Sequence, residues 1–305
     1  MEIGLHLPSA QSGADAVGIV EVARAAERNA FESVWFFDHL FTPVRLGSAY
    51  PYSRDGSYAL GPGDPFFDPL ALYGVLAAAT TRIKLATGVL IGAYRHPIVL
   101  GKVLASVERF APGRLILGLG AGWMREEFDA LGVDPARRSA RADEYVRALR
   151  AVWSGRSAFE GDFYRWPEAG FEPAPSAPIP IIVGGHGDAA LRRAARVGDG
   201  WAIALNKEQG STLDDLERRL DFLRARLADE GRDPASFHLA YQSLLWFSDS
   251  PHPKLPLTGP PDAIAASLAR LGELGVTMVD LVVFGPALLI VETAERFAQE
   301  VRPLL

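Results

Sequence analysis

LILGLGAGWMREEFDALGVD, Leu115 to Asp134, is the stretch whose reading decides the fold. It opens with a short apolar run, Leu115 to Leu119, of the length of a buried strand. Gly118, Gly120 and Gly122 stand at every second position. Glycine at that spacing lets a backbone bend sharply and come close to a flat ligand. Trp123 adds an aromatic face, and Glu126 and Glu127 a pair of carboxylates. The stretch reads as a strand end opening into a ligand loop. A strand, a glycine turn and an ordinary acidic helix start is the alternative that spacing alone leaves open.

Outward from this stretch, strands and helices alternate. Apolar runs predict further strands at Glu2 to Leu7, Ser33 to Phe37, Ile83 to Thr87, Ile181 to Val183, Trp201 to Leu205, Phe237 to Phe247 and Met278 to Phe284. Helical spacing fills the intervals. The helix Asp15 to Asn29 has Val17, Val20, Val22, Ala23 and Ala26 as its expected apolar face. His96 to Phe110 has Val99, Val103 and Val107, and Arg137 to Trp153 has Tyr145, Leu149 and Val152. Thr212 to Glu230 reads as a charged amphipathic helix. Strands alternating with helices imply parallel pairing through βαβ units. Eight of them predict an α/β fold of the (β/α)8 TIM barrel type, 1–305 as one domain. A Rossmann fold competes, but SAQSGAD after the first strand lacks the dinucleotide fingerprint. Insertions are expected after strand two (Asp38 to Asp68), after strand four (Ser154 to Pro180) and after strand seven (Ser248 to Pro261).

Composition narrows the function. The 305 residues are 49% hydrophobic, enough for a large core, with net charge -6. That balance argues against nucleic acid and anionic membrane as partners. With no cysteine, thiolate metal sites, disulfides and a cysteine nucleophile are excluded. The six histidines show no HExxH-type spacing, so no metal is expected. No apolar run approaches a membrane span of ~18 residues. No signal peptide is visible, which makes a cytoplasmic protein the expectation.

In a barrel the active site lies at the C-terminal ends of the strands. After strand two stands Asp38-His39, and a carboxylate beside a histidine can fix its tautomer for acid/base work. The long loop behind it carries Tyr50, Tyr52, Tyr58, Phe66 and Phe67, which suits packing over a ligand. Thr87-Gly88-Val89 ends strand three, where a glycine marks a bulge or a plain turn. Gly184-Gly185-His186-Gly187 ends strand five, with Asp188 as candidate N-cap; its free N–H groups suit a phosphate. His6 lies on strand one, facing the barrel mouth or buried as a core histidine. His96 reads as structural and Trp201 as core.

With these residues in place, the sequence resembles the luciferase-like monooxygenase superfamily over nearly its whole length, and most of all the probable F420-dependent oxidoreductases within it. Four features carry the match: Asp38-His39; LATGVLIGAYRHP, Leu85 to Pro97; LGLGAGWMREEFDALGV, Leu117 to Val133; and IPIIVGGHGDAALRRAARVGDGW, Ile179 to Trp201. The resemblance implies a barrel that holds F420, or alternatively FMN, in its mouth. It implies a bulge with a non-proline cis peptide at Gly88-Val89 against the ring, next to Thr87. It places phosphate contacts at Gly184, Gly185 and His186. It sets Gly120, Gly122, Trp123 and Glu126 along the cofactor; His6, from its place on strand one, is a further cofactor-binding candidate. Asp38 and His39 would be the catalytic acid/base pair. Related sugar-phosphate dehydrogenases carry a second acid where this chain has Trp123, which argues against that chemistry here.

The reading that results is hydride transfer between F420 and a small, moderately apolar substrate under a lid, Tyr50 to Phe67. An FMNH2-dependent monooxygenase using oxygen is the alternative, and a non-catalytic flavin-binding protein a minor one. Dimerisation is an expectation by resemblance alone.

Overall fold

The computed structural model describes residues 1–11, 14–53, 55–204 and 213–305. Eight strands form the barrel: β1 (Glu2–His6), β2 (Ser33–Phe36), β3 (Lys84–Thr87), β4 (Leu115–Gly120), β5 (Ile181–Gly184), β6 (Gly200–Ala204), β7 (His238–Leu244) and β8 (Met278–Val282). They pair in parallel in the order β3-β2-β1-β8-β7-β6-β5-β4. The pairs Leu85↔Leu115 and Ala86↔Ile116 join β3 to β4 and close the sheet on itself. Ser12, Gly13, Leu205 and Thr212, which fall within the expected first loop, the sixth strand and its helix, lie outside the described residues.

Helices follow the strands: α1 (Ala16–Arg28), α2 (Pro69–Ala79), α3 (Pro97–Phe110), α4 (Arg138–Trp153), α5 (Asp188–Val197), α6 (Leu213–Asp229), α7 (Pro261–Glu273) and α8 (Ala287–Arg296). Their apolar faces and the outward strand residues make the main core. Inside the barrel, Trp35, Ala86, Ile116, Ile182, Ala240 and Met278 form a dry plug. That plug fills the lower barrel, so a ligand has room only above it.

Two expected helix faces are corrected. Val17 is 67% exposed and Ile19 is buried in α1; Val99 is 55% exposed, and Leu100, Leu104 and Val107 form the buried stripe of α3. The rest of each face holds in part: Val22, Ala23 and Ala26 of α1 and Val107 of α3 are buried as expected, and the misplaced residues are the valines in the first turns. Tyr145, Leu149 and Val152 of α4 are buried as expected. Asp188 is the first residue of α5 rather than its cap; Gly187 takes the N-cap position. His96 caps α3 by accepting from the Ile98 N–H at 3.3 Å.

The segment between α4 and β5 carries an antiparallel hairpin, Arg156–Glu160 with Arg165–Gly170. Glu144 of α4 accepts from the N–H groups of Asp162, Phe163 and Tyr164 and so ties the hairpin turn to the outside of the barrel. Beyond β7, a short strand Trp246–Phe247 pairs with Thr258–Gly259. No helix among the described residues is long and apolar enough to cross a membrane.

Candidate active site

A cavity of about 1700 Å³ opens at the C-terminal ends of the strands. Single small-molecule sites are roughly 300–1,000 Å³, so this one has room for two ligands side by side.

Its floor is built around a bulge. After Thr87 the Gly88-Val89 peptide is cis, and the chain re-enters the sheet as Leu90–Ile91 against Leu119 and Gly120 of β4. The glycines of the neighbouring strands make space for it. A Cβ on Gly120 would meet Val89 Cγ2 at 2.5 Å, and one on Gly184 would meet Val89 Cγ1 at 2.6 Å. A Cβ on Gly118 would lie 1.8 Å from the Thr87 carbonyl oxygen. These glycines therefore seat the bulge. The close approach that their spacing suggested is to protein. Thr87 is buried and bonds the Gly118 carbonyl at 2.9 Å without lining the cavity.

His39 enters from the loop after β2. Its Nδ1 lies 2.7 Å from Glu127 Oε2, and its Nε2 accepts from the Trp123 indole N–H at 3.3 Å. The expected partner, Asp38, is turned elsewhere: both its oxygens are held by Arg95 at 2.7 and 3.0 Å, and the Ile91 N–H adds a bond of 2.8 Å. Arg95 also bonds Asp68 at 2.7 Å. Burial works against the Arg95 charge, but Asp38 and Asp68 outweigh it and hold its pKa above the ordinary value. Asp38 thus clamps the long loop to the bulge, while Glu127 orients His39.

Glu127 is fully buried at the start of the short helix Arg125–Ala130. It also accepts from the Tyr94 hydroxyl at 2.6 Å and from the Leu40 N–H at 2.5 Å. Glu126, the neighbour that the sequence reading favoured, does not line the cavity. Its carboxylate holds the lid loop instead, accepting from the N–H groups of Gly47 and Ser48 at 2.6 and 3.0 Å and from the Ser48 hydroxyl at 2.7 Å.

The lid forms a roof of aromatic rings. Trp123 packs against Tyr50 at 5.0 Å, Tyr58 at 5.3 Å and His39 at 5.6 Å, and His39 touches Phe66 at 5.4 Å. Tyr50 meets Tyr52 at 5.3 Å, and Tyr52 meets His186 at 5.0 Å. The roof therefore spans from the β2 loop to the β5 loop. Burial pushes the Tyr50 hydroxyl up to about 12, with Tyr52 adding to it.

At the β5 end the cavity turns polar. Gly184, Gly185, His186 and Gly187 line it, together with Arg138 and Arg193. Trp201 supports this loop from the core by donating to the Gly185 carbonyl at 2.8 Å. Arg193 is held by Asp143 at 2.5 Å and by the Ser139 carbonyl at 2.9 Å. These arginines escaped the sequence reading. His6 lies beneath the cavity surface, against Asp280 at 2.8 Å and Phe37 at 3.9 Å between ring centres.

A parallel barrel whose strand ends cradle a bulge, a histidine–carboxylate pair and a cationic rim belongs among the enzyme barrels. The chain belongs to the luciferase-like monooxygenase family, whose model matches residues 1–253, and it is an oxidoreductase. A protein of unassigned function from Mycobacterium tuberculosis is 35% identical over 240 residues, 78% of this chain and 81% of that protein. An F420-dependent glucose-6-phosphate dehydrogenase from Nakamurella multipartita is 34% identical over 70% of this chain and 59% of its own length. An FMNH2-dependent dimethylsulfone monooxygenase from Pseudomonas fluorescens is 32% identical over 63% of this chain and 49% of its own length. Among solved structures, a monooxygenase from Streptomyces bottropensis superposes with a TM-score of 0.79 at 21% identity, covering 99% of each chain. An F420-dependent secondary alcohol dehydrogenase gives 0.78 at 17%, covering 100% of this chain and 99% of that one. These last two likenesses speak for the fold.

Proposed function

We propose that this chain, residues 1–305 acting as one barrel domain, is an F420-dependent oxidoreductase. It would transfer a hydride between the deazaflavin and a small, moderately apolar organic substrate. The observation that carries the reading is His39: one ring nitrogen is fixed on a buried carboxylate and the other is turned toward an aromatic-roofed cavity beside the Gly88-Val89 bulge.

The residues present fit such a cofactor. The bulge offers a shelf whose Val89 side chain is seated between Gly120 and Gly184. The backbone N–H groups of the β5 loop and the guanidinium groups of Arg138 and Arg193 suit a phosphate-bearing tail. When bound, the deazaflavin supplies hydride transfer at a ring carbon; orientation and shielding fall to the protein. His39 donates Nδ1–H to Glu127, which leaves Nε2 to exchange a proton with a substrate oxygen or nitrogen. The 3.3 Å bond from Trp123 is long, so a substrate can take its place. The rings of Tyr50, Tyr58 and Phe66 exclude water around that exchange.

The roof equally favours a second reading, an FMNH2-dependent monooxygenase, because oxygen chemistry at a reduced flavin also requires a dry pocket. Titrating the purified protein with F420 and FMN side by side separates the two. Tight F420 with weak FMN supports hydride transfer, and preference for reduced FMN moves the assignment to oxygen chemistry. Binding of neither removes the cofactor reading. A His39→Ala protein that binds F420 and keeps full turnover would refute the proton-exchange role.

A further inference from the structure

The cavity floor holds a carboxylate that the proposed chemistry does not use. Asp280 sits in the middle of β8, level with Gly4 of β1 and Gln242 of β7. Alternation along β8 sends Met278 and Asp280 into the barrel, and Val279 and Leu281 into the outer core. Asp280 is 2% exposed. Its Oδ2 accepts from His6 Nδ1 at 2.8 Å and from Gln242 Nε2 at 2.6 Å. Its Oδ1 is buried and has no hydrogen-bond partner among the described residues.

A buried acceptor without a donor is expensive, and native proteins rarely keep one without a reason. The location supplies the reason. Asp280 and Gln242 both line the cavity. A Cβ placed on Gly88 would lie 3.6 Å from Asp280 Oδ2 and 3.5 Å from Gln242 Nε2. The Asp280 carboxyl group, which carries the free oxygen, therefore stands beside the bulge, where a flat ring would rest. Gln242 spends one amide hydrogen on Asp280 and keeps the other. The floor thus offers an acceptor next to a donor. The complement is an N–H next to a C=O, the edge of an imide.

We propose that Asp280 and Gln242 recognise the imide edge of the pyrimidine ring that F420 and FMN share, Asp280 Oδ1 accepting from its N–H and Gln242 Nε2 donating to an adjacent carbonyl. The inference rests on the cofactor reading above and adds residues that orient the ring from below. His6 is a positioning residue here: it holds Asp280 Oδ2, which leaves Oδ1 to face the ligand. Phe37 packs on the His6 ring and keeps it in place.

The test uses the full chain and two probes, FMN and FMN methylated on the imide nitrogen, with dissociation constants read from flavin fluorescence. A hydrogen bond to a charged acceptor predicts that methylation weakens binding to the unaltered protein by about tenfold or more. Asp280→Asn keeps the shape. The His6 and Gln242 donors hold its oxygen, so its NH2 faces the ligand, donor against donor. This variant should lose a similar factor for FMN and for F420, and should no longer distinguish FMN from its methylated form. Its melting curve checks that it is folded. Equal affinity of the unaltered protein for FMN and N-methyl FMN overturns the proposal, and needs no substitution. Unchanged FMN and F420 affinities in a folded Asp280→Asn protein overturn it as well. Failure of the unaltered protein to bind either cofactor would instead bring down the reading beneath it.

Discussion

His39 Nδ1 lies 2.7 Å from Glu127 Oε2, and the two residues come from loops after different strands, 88 positions apart. The same oxygen takes the Tyr94 hydroxyl, and Oε1 takes the Leu40 N–H. Three donors therefore fix one buried carboxylate, and the carboxylate fixes the imidazole. Positioned acid/base groups contribute about 10²–10⁴-fold to rate. His39→Ala should lose kcat in that range. Glu127→Gln removes the charge and sets its NH2 against the Leu40 N–H, donor against donor, while its oxygen still holds His39 and Tyr94; it should lose less than His39→Ala, with cofactor affinity intact. An unchanged kcat in Glu127→Gln, measured on the first substrate found, would remove Glu127 from the machinery.

Asp38 and Arg95 form a buried bidentate pair with 0% and 9% of their side chains exposed. Removing one partner leaves the other uncompensated, which typically costs about 3–5 kcal/mol. Arg95→Ala should be destabilised by that order in urea unfolding. A loss below about 1 kcal/mol would show that water reaches Asp38 on truncation.

Gly120→Ala and Gly184→Ala each push a methyl into the Val89 side chain. Overpacking of this kind costs about 1–3 kcal/mol, and the bulge must shift. Both variants should bind cofactor at least tenfold more weakly than the unaltered protein. Gly74→Ala is the control: nothing stands within 4 Å of its Cβ, and its helical site predicts a gain of about 0.5–1 kcal/mol. Cofactor affinity that is the same in all three would detach the bulge from the ligand site.

Glu126 links the lid to the barrel. Partial burial works against its charge, but bonds from Ser48 and the Gly47 N–H outweigh it and hold its carboxyl below the ordinary value. A depressed folded pKa means that the contact stabilises above the ordinary glutamate range and is lost as pH falls through the lowered value. The lid should therefore loosen in acid, below the ordinary glutamate range, seen as a change in tryptophan emission from Trp123. Glu126→Gln should abolish that acid transition. A transition that persists unchanged in this variant assigns it to another carboxylate.

The barrel was legible because parallel strands, buried on both sides, read as short apolar runs such as Leu115 to Leu119 and Ile181 to Val183. Asp38-His39 was legible as a place but not as a pair, since adjacency in a chain says nothing about where two side chains turn. Glu127 was hidden by its neighbour. In a helix beginning at Arg125, Glu126 faces the lid while Glu127 and Phe128 face the core. The signal was present: Phe128 marks the inward side, and the residue beside it shares that side. Arg138 and Arg193 meet the cavity from helices 55 positions apart, and no local pattern joins them. Asp280 and Gln242 lie inside runs expected to be strands and drew no attention there, because a polar side chain inside a barrel is conspicuous only once the register of β7 and β8 is known.

The two faces of the cavity depend on different parts of the chain. Glycines of β4 and β5 and a clamp from Arg95 keep the shelf; Glu126 and a few rings keep the roof. Exchanges at Tyr50, Tyr52 or Phe66 reshape the upper space and leave the Val89 seat untouched. Descent with change can thus retain one coenzyme while exploring many reactants, and a laboratory library confined to the roof should inherit that freedom.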